Sequence, residues 1–173
     1  MAIQGQAYNK TSWAFEERPV SSAKLNQWDD RIEGALEVAF HLLNLAWGGG
    51  SGVLRGAPAG ELAVTATAPA SLRVAVGPGY AFVDGYPYRL AAGIETAAIA
   101  PPVSEERIDL VQADLATWGV TVKAGAESAT PEAPVPDSGS IALAALVLRP
   151  GMGSITNADD SVNGYIVDAR DFL

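Results

Sequence analysis

The sequence predicts a mainly β protein with one long helix near its N-terminus. Eighteen glycines and eleven prolines among 173 residues favour many turns between short strands. Across residues 61–173, short runs that alternate apolar and polar side chains are separated by turn signals, whereas residues 22–47 have helical periodicity. We therefore expect a β-sandwich or open barrel of about eight strands, with a heptad-bearing oligomerisation helix beside it.

Residues 1–20 are predicted to form an extended N-terminal arm. They have little periodicity and include three aromatic residues, Tyr8, Trp13 and Phe15. An arm of this length cannot form a core of its own, so we expect these aromatics to dock elsewhere. The docking partner is either the same chain or a neighbouring one.

The oligomerisation helix is predicted to cover residues 21–47. Ser21 or Ser22 can cap its N-terminus by accepting a hydrogen bond from a backbone N–H that has no partner within the helix. At the other end, the glycine run Gly48–Gly50 makes continuation of the helix entropically costly. Between these two ends, the polar face of the helix is rich in Asp and Glu.

Apolar residues of this helix recur at alternating spacings of three and four, which is the pattern of a coiled-coil seam. The predicted oligomer interface consists of Leu25, Trp28, Ile32, Ala35, Ala39 and Leu42. A second apolar row contains Leu36, Phe40, Leu43 and Trp47. Two rows suggest one face toward the chain's own domain and one toward other copies of the helix. The alternative is one wide stripe on a single intramolecular core.

The rest of the chain is predicted to be a Gly-rich linker, residues 48–60, followed by a β-sandwich domain, residues 61–173. Asp84-Gly85 predicts a tight hairpin, and a second hairpin is expected around Thr117–Gly119. The stretch Glu127–Gly139 has three prolines and no apolar period, so it is expected to be a surface loop.

Charge and composition argue against several classes of partner. The net charge is −9 and the basic residues are isolated from one another, which disfavours nucleic acid and anionic membranes. No segment predicts insertion into a membrane, and no secretory signal is visible. With no cysteine and one histidine, we expect neither a metal site nor a cofactor.

No group of residues predicts a catalytic site, and we expect no enzymatic activity. The segment Asp159–Arg170 partly matches a calcium-binding loop, but Arg170 stands where a bidentate Glu is needed, so an Asn- and Asp-rich turn is expected. Asp168 and Arg170 are expected to form cross-strand ion pairs, either Asp168 with Arg107 or Arg170 with Asp109.

Five segments, taken in order, resemble the structural modules of tailed-bacteriophage tail tips and baseplates. They are Val76–Gly85, Arg107–Val111, Lys123–Gly125, Ile141–Ala144 and Ile166–Arg170. The helix that contains Leu-Asn-Gln-Trp is similar to the one that precedes such modules, and the resemblance covers about residues 20–173. These modules include the attachment domains of receptor-binding and tail-fibre proteins.

The resemblance implies a non-enzymatic structural component of the virion, made in the host cytoplasm, that anchors or adapts fibre or receptor-binding parts. Its expected partners are other tail proteins and copies of itself, with a homotrimer favoured because Trp28 is wide for a two-stranded interface. One alternative is a module that binds a host-surface glycan or receptor through Tyr80, Tyr86, Tyr88 and Trp118. Another is an assembly factor that is absent from the finished particle.

Overall fold

The computed structural model of the chain describes residues 21–56 and 60–173. The predicted arm, with Tyr8, Trp13 and Phe15, lies outside the described residues. The described part is mainly β, with one helix, α1, and eleven strands in three sheets. The elements are α1 Ser22–Ala46, β1 Gly52–Val53, β2 Val64–Ala66, β3 Val74–Val76, β4 Gly79–Val83, β5 Tyr86–Leu90, β6 Ile94–Glu95, β7 Arg107–Asp114, β8 Gly119–Lys123, β9 Ser140–Leu148, β10 Ile155–Thr156 and β11 Gly164–Asp168.

The predicted fold class is confirmed, since the sheets are sandwich-like and do not close into a barrel. The largest sheet has the order β10-β11-β9-β7-β8, and two three-stranded sheets have the orders β1-β4-β5 and β2-β3-β6. The strands that were not predicted are β1 and β10, which have two residues each. Such short strands have no alternation for a sequence pattern to reveal.

The chain divides into two compact units. Among the described residues, the first comprises 21–50 with Asp84–Tyr86, and the second comprises 51–56, 60–83 and 87–173. The second unit contains the hydrophobic core, which draws its side chains from the strands of all three sheets. Its largest fully buried apolar side chains are Tyr88, Leu62, Leu143, Leu146, Leu148 and Ile155.

Strand β9 is central in the five-stranded sheet, and none of its residues is exposed. A bulge opposite Val111 and Gln112 shifts the register, so that Leu143 and Ala144 are both buried although they are adjacent. The bulge shifts the phase of burial once, and the apolar run of β9 fits a strand with no exposed residue on either face.

The predicted linker, residues 48–60, is wrong in part. Gly52–Val53 forms β1, which pairs with β4 in antiparallel register, and the Val53 side chain is fully buried in the core. A Cβ at position 52 would lie 2.9 Å from the Leu173 side chain, so glycine is required there by close packing. Part of the glycine-rich composition therefore reflects packing and not flexibility.

Candidate functional site

Helix α1 has well-defined ends. The Ser21 side chain accepts a hydrogen bond from the Lys24 backbone N–H at 3.3 Å, which confirms Ser21 as the N-cap. At the C-terminus, Gly49 donates its N–H to the Asn44 carbonyl, and Gly48–Gly50 all have positive φ. The Asn44 side chain is 4% exposed and donates to the Gly50 carbonyl at 2.7 Å. The side chain of Asn44 thus fixes the turn that ends the helix.

A stripe of large apolar side chains on α1 is exposed. Each is between 36% and 61% exposed, although an amphipathic helix of a monomer normally buries such residues. The exposed side chains are Leu25, Trp28, Ile32, Leu36, Leu42, Leu43 and Leu45, with Trp47 directly after the helix. We call this stripe, together with Ala35 and Ala39, the apolar seam.

The apolar seam contains all six residues of the predicted oligomer interface. Ala35 is half-buried and Ala39 is exposed, and their small side chains leave room for a neighbouring backbone to approach. Three residues of the second apolar row, Leu36, Leu43 and Trp47, are exposed as well. Spacing alone reveals which residues share a face, but it does not reveal how wide the uncovered surface is.

The side of α1 that contains Glu37 makes contacts within the first unit. The Tyr86 hydroxyl donates to Glu37 at 2.9 Å, and this hydrogen bond raises the pKa of Tyr86 above its ordinary value. Phe40 is half-buried and Asn44 is buried on this side. The helix therefore uses its Glu37 side within the unit and leaves the apolar seam uncovered among the described residues.

A shallow groove runs along one margin of the apolar seam. It encloses about 400 Å³ between apolar side chains, Ile32, Leu36 and Phe40, and acidic side chains, Asp29, Glu33 and Glu37, with Tyr86 at its rim. The apolar residues repeat every four positions, and so do the acidic ones. We call this feature the acidic groove.

Two of the motifs that carry the phage resemblance contribute residues to a hydrogen-bonded network. Arg107 donates to both carboxylate oxygens of Asp109, at 2.7 and 2.9 Å, and the Gly125 N–H donates to the same carboxylate at 3.0 Å. Asp109 is 2% exposed, so its charge is buried together with its partners. The Arg-x-Asp motif and the later Gly125 therefore form one buried network.

The predicted cross-strand ion pairs are wrong. Arg170 pairs with Asp168, two residues away, at 2.7 Å, and also donates to the Glu61 carbonyl at 2.8 Å. This hydrogen-bonded contact lowers the pKa of Asp168. Arg107 and Asp109 are two residues apart on β7 and share a face, whereas Arg170 lies two residues beyond the end of β11. Each motif therefore pairs within itself.

The segment that partly matched a calcium loop is an Asx-rich turn. Asp160 accepts backbone N–H groups of Val162 and Asn163 and the Asn163 side-chain amide, which lowers its pKa to about 2. Arg149 donates to both carboxylate oxygens of Asp159, at 2.8 and 3.1 Å. Within residues 21–56 and 60–173, no group of three or more His, Cys, Asp and Glu side chains is placed to hold a metal ion.

The aromatic residues suggested as a sugar platform occupy very different positions. Tyr88 is buried and donates its hydroxyl to the Gly119 carbonyl at 2.8 Å, while Tyr86 is bound to Glu37. Trp118 is 58% exposed and stacks in parallel on Tyr88, with ring centroids 6.3 Å apart. Arg89 lies over the ring of Tyr80. Trp118 is the exposed one of these four aromatic residues.

Comparisons with family models, with curated proteins and with solved structures gave no significant match. Among the described residues, no helix is both long and apolar enough to cross a bilayer. Sequence reasoning missed the acidic groove, although the repeat of Asp29, Glu33 and Glu37 beside Ile32, Leu36 and Phe40 was present in the sequence. The pattern was missed because acidic residues on a helix are ordinarily assigned to a solvated face.

Proposed function

We propose that this chain is a non-enzymatic structural component of a phage tail tip or baseplate that self-associates, as a trimer, through the apolar seam. In this role it anchors or adapts tail-fibre or receptor-binding parts in the virion. The observation that carries the proposal is the apolar seam, with eight large apolar side chains each at least 36% exposed. An exposed apolar patch of this kind marks a protein–protein interface.

The number of copies is argued from the width of the seam. Along the central line of the apolar seam, Leu25, Ile32 and Ala39 alternate with Trp28, Ala35 and Leu42. The margins on both sides of this line become apolar toward the C-terminus of α1. Those margins contain Leu36 and Leu43 on one side and Val38 and Leu45 on the other. A two-stranded coiled coil covers only a narrow seam, so apolar margins favour three strands over two. Closed three-fold symmetry also suits an assembly around a tail axis.

The connection to a phage tail rests on the order of sequence motifs and on what those residues do. The Arg107, Asp109 and Gly125 network and the Arg170, Asp168 and Glu61 network hold the β unit together. A β unit held by such networks, joined in one chain to a helix with an uncovered seam, is suited to a protein that positions other proteins. A structural role for these two networks is therefore compatible with a function as an attachment part.

The first test is the absolute mass of the purified full-length chain, measured by light scattering on a sizing column. We expect three times the 17.9 kDa of one chain. Ile32→Asp with Leu42→Asp should reduce the mass to that of a monomer, because a charge within a buried seam is strongly unfavourable. Val103→Asp with Val135→Asp is the matched control, since these residues are 87% and 78% exposed outside the helix.

A monomeric wild-type chain would overturn the trimer. Mass spectrometry of purified virions then tests the location, because a tail component is retained in the particle while an assembly factor is not. Absence of the chain from virions, with a trimer in solution, would favour the assembly-factor alternative.

A further inference from the structure

The two margins of the apolar seam differ in charge near the N-terminus of α1. Lys24 and Arg31 lie on one margin, each directly before a residue of the central line of the seam. Asp29 lies on the other margin, directly after Trp28, and Glu33 lies just outside that second margin. These two cations are the basic residues of α1. The helix is therefore basic along one margin and acidic along the other, at the same height.

The acidic margin is also the margin that forms a groove. Asp29 and Glu33 flank Ile32 and Leu36, which are 36% and 47% exposed, so the groove offers apolar surface beside two carboxylates. Glu37 is already held by the Tyr86 hydroxyl, which fixes the outer wall of the groove. The chemistry that fits is a long side chain with an aliphatic stem and a cationic end, such as arginine.

A second copy of α1 supplies such side chains only if the helices run in the same direction. In a parallel, in-register bundle, the margin of one helix that contains Lys24 and Arg31 contacts the margin of the next helix that contains Asp29. Each residue meets the residue about five positions further along the neighbouring helix. Lys24 then meets Asp29 of the neighbour, and Arg31 lies along Leu36 with its guanidinium near Glu33. Antiparallel helices would instead place Lys24 beside Leu45 and Arg31 beside Val38.

We propose that the acidic groove of each copy receives Arg31 and Lys24 of the adjacent copy, so that these charge pairs set the parallel direction and the register of the helices. This inference rests on the proposed self-association through α1. Lys24 and Arg31 each have an interaction within their own chain. An ammonium has three donors and a guanidinium five, so both residues retain donors for a neighbour's carboxylate.

Charge reversal tests the pairing. Arg31→Glu should raise the dissociation constant of the oligomer at least about tenfold, measured by light scattering over a dilution series. Adding Glu33→Arg in the same chain should restore assembly, because the pair is re-formed with its charges exchanged. Arg89→Glu is the control, since it makes the same change in net charge on an exposed arginine outside α1.

Cysteine cross-linking tests the direction of the helices, because the chain contains no cysteine of its own. Ala46→Cys should form covalent dimers on mild oxidation, since identical positions meet in a parallel bundle. In antiparallel helices, Leu25→Cys would instead cross-link to Ala46→Cys in a mixture of the two variants.

The outcomes separate this inference from the proposed function. A wild-type trimer whose mass and affinity are insensitive to Arg31→Glu, or are not restored by Glu33→Arg, would overturn the charge pairing alone. Cross-linking of position 25 to position 46 would overturn the parallel direction. A monomeric wild-type chain would overturn the self-association on which both proposals depend.

Discussion

Glu127 shows how one partly exposed carboxylate organises a connecting segment. It accepts the backbone N–H groups of Val103, Ser104 and Glu105, together with the Ser104 hydroxyl, at 2.9 to 3.4 Å. These donors stabilise the charged form and lower the pKa of Glu127 from 4.5 to about 2. The segment before β7 is therefore held by a group whose charge depends on pH.

Glu127→Gln should lower stability above about pH 5, and the difference from wild type should shrink as the pH falls toward 2. The folded-state pKa lies below the ordinary value of 4.5, so the stabilisation is present above 4.5 and is lost on acidification through 2. The measurement is the melting temperature as a function of pH. Glu132→Gln, an exposed change in the same loop, is the control, and a pH-independent difference for Glu127→Gln would contradict the prediction.

Residue-scale chemistry was predictable in kind but not in pairing. The sequence indicated that Arg107, Asp109, Asp168 and Arg170 would form ion pairs, because such residues on strands seldom lie unpaired. It could not reveal that each pair is local, since that depends on the backbone donors and acceptors brought beside them. Gly125, which completes the Asp109 network, carries no signal in the sequence beyond its presence in a short motif.

At the scale of elements, strand β8 is the edge of the five-stranded sheet. The Leu115 N–H donates to Gly139, on the β9 side of β7. Backbone groups of successive strand residues point in opposite directions, so Gln112 pairs toward β8, where it faces Thr121. It follows that Thr121 directs its N–H to β7, whereas Val120 and Val122 direct theirs away from the sheet.

Native-state amide exchange followed by NMR should reveal this alternation. The amide of Thr121 should be protected at least about a hundredfold more than those of Val120 and Val122, because only the former lies within the ladder. Thr121 and Val122 are both β-branched neighbours in one strand, so each serves as the other's control. Slow exchange at Val122 with fast exchange at Thr121 would show that the register is shifted by one residue.

Elements with strong local signals were predictable from the sequence. The bounds of α1 were expected within one residue, because Ser21 and the glycine run act through local backbone chemistry. The hairpin at Asp84-Gly85 was also predicted, and both residues have positive φ. Strands β1 and β10 were missed because their order comes from pairing with distant strands, which no local pattern encodes.

At the scale of the whole molecule, the two units differ in what they bury. The β unit has a core of fully buried side chains, whereas Asn44 is the one buried residue among those described in α1. An isolated helix is marginally stable in water, and most helical stability comes from packing of its apolar face. If the apolar seam is covered by other copies of the chain, the order of α1 depends on protein concentration, while the order of the β unit does not.

Hydrogen exchange measured by mass spectrometry over a dilution series should separate the two behaviours. Protection of residues 22–46 should fall at least about tenfold as the protein is diluted below its dissociation constant, because association stabilises the folded helix by mass action. Protection of β7 and β9 should remain unchanged over the same range. Ile32→Asp should show the low helix protection at every concentration. A helix equally protected at all concentrations in both proteins would mean that its stability comes from within the chain, and that the exposed seam is not what orders it.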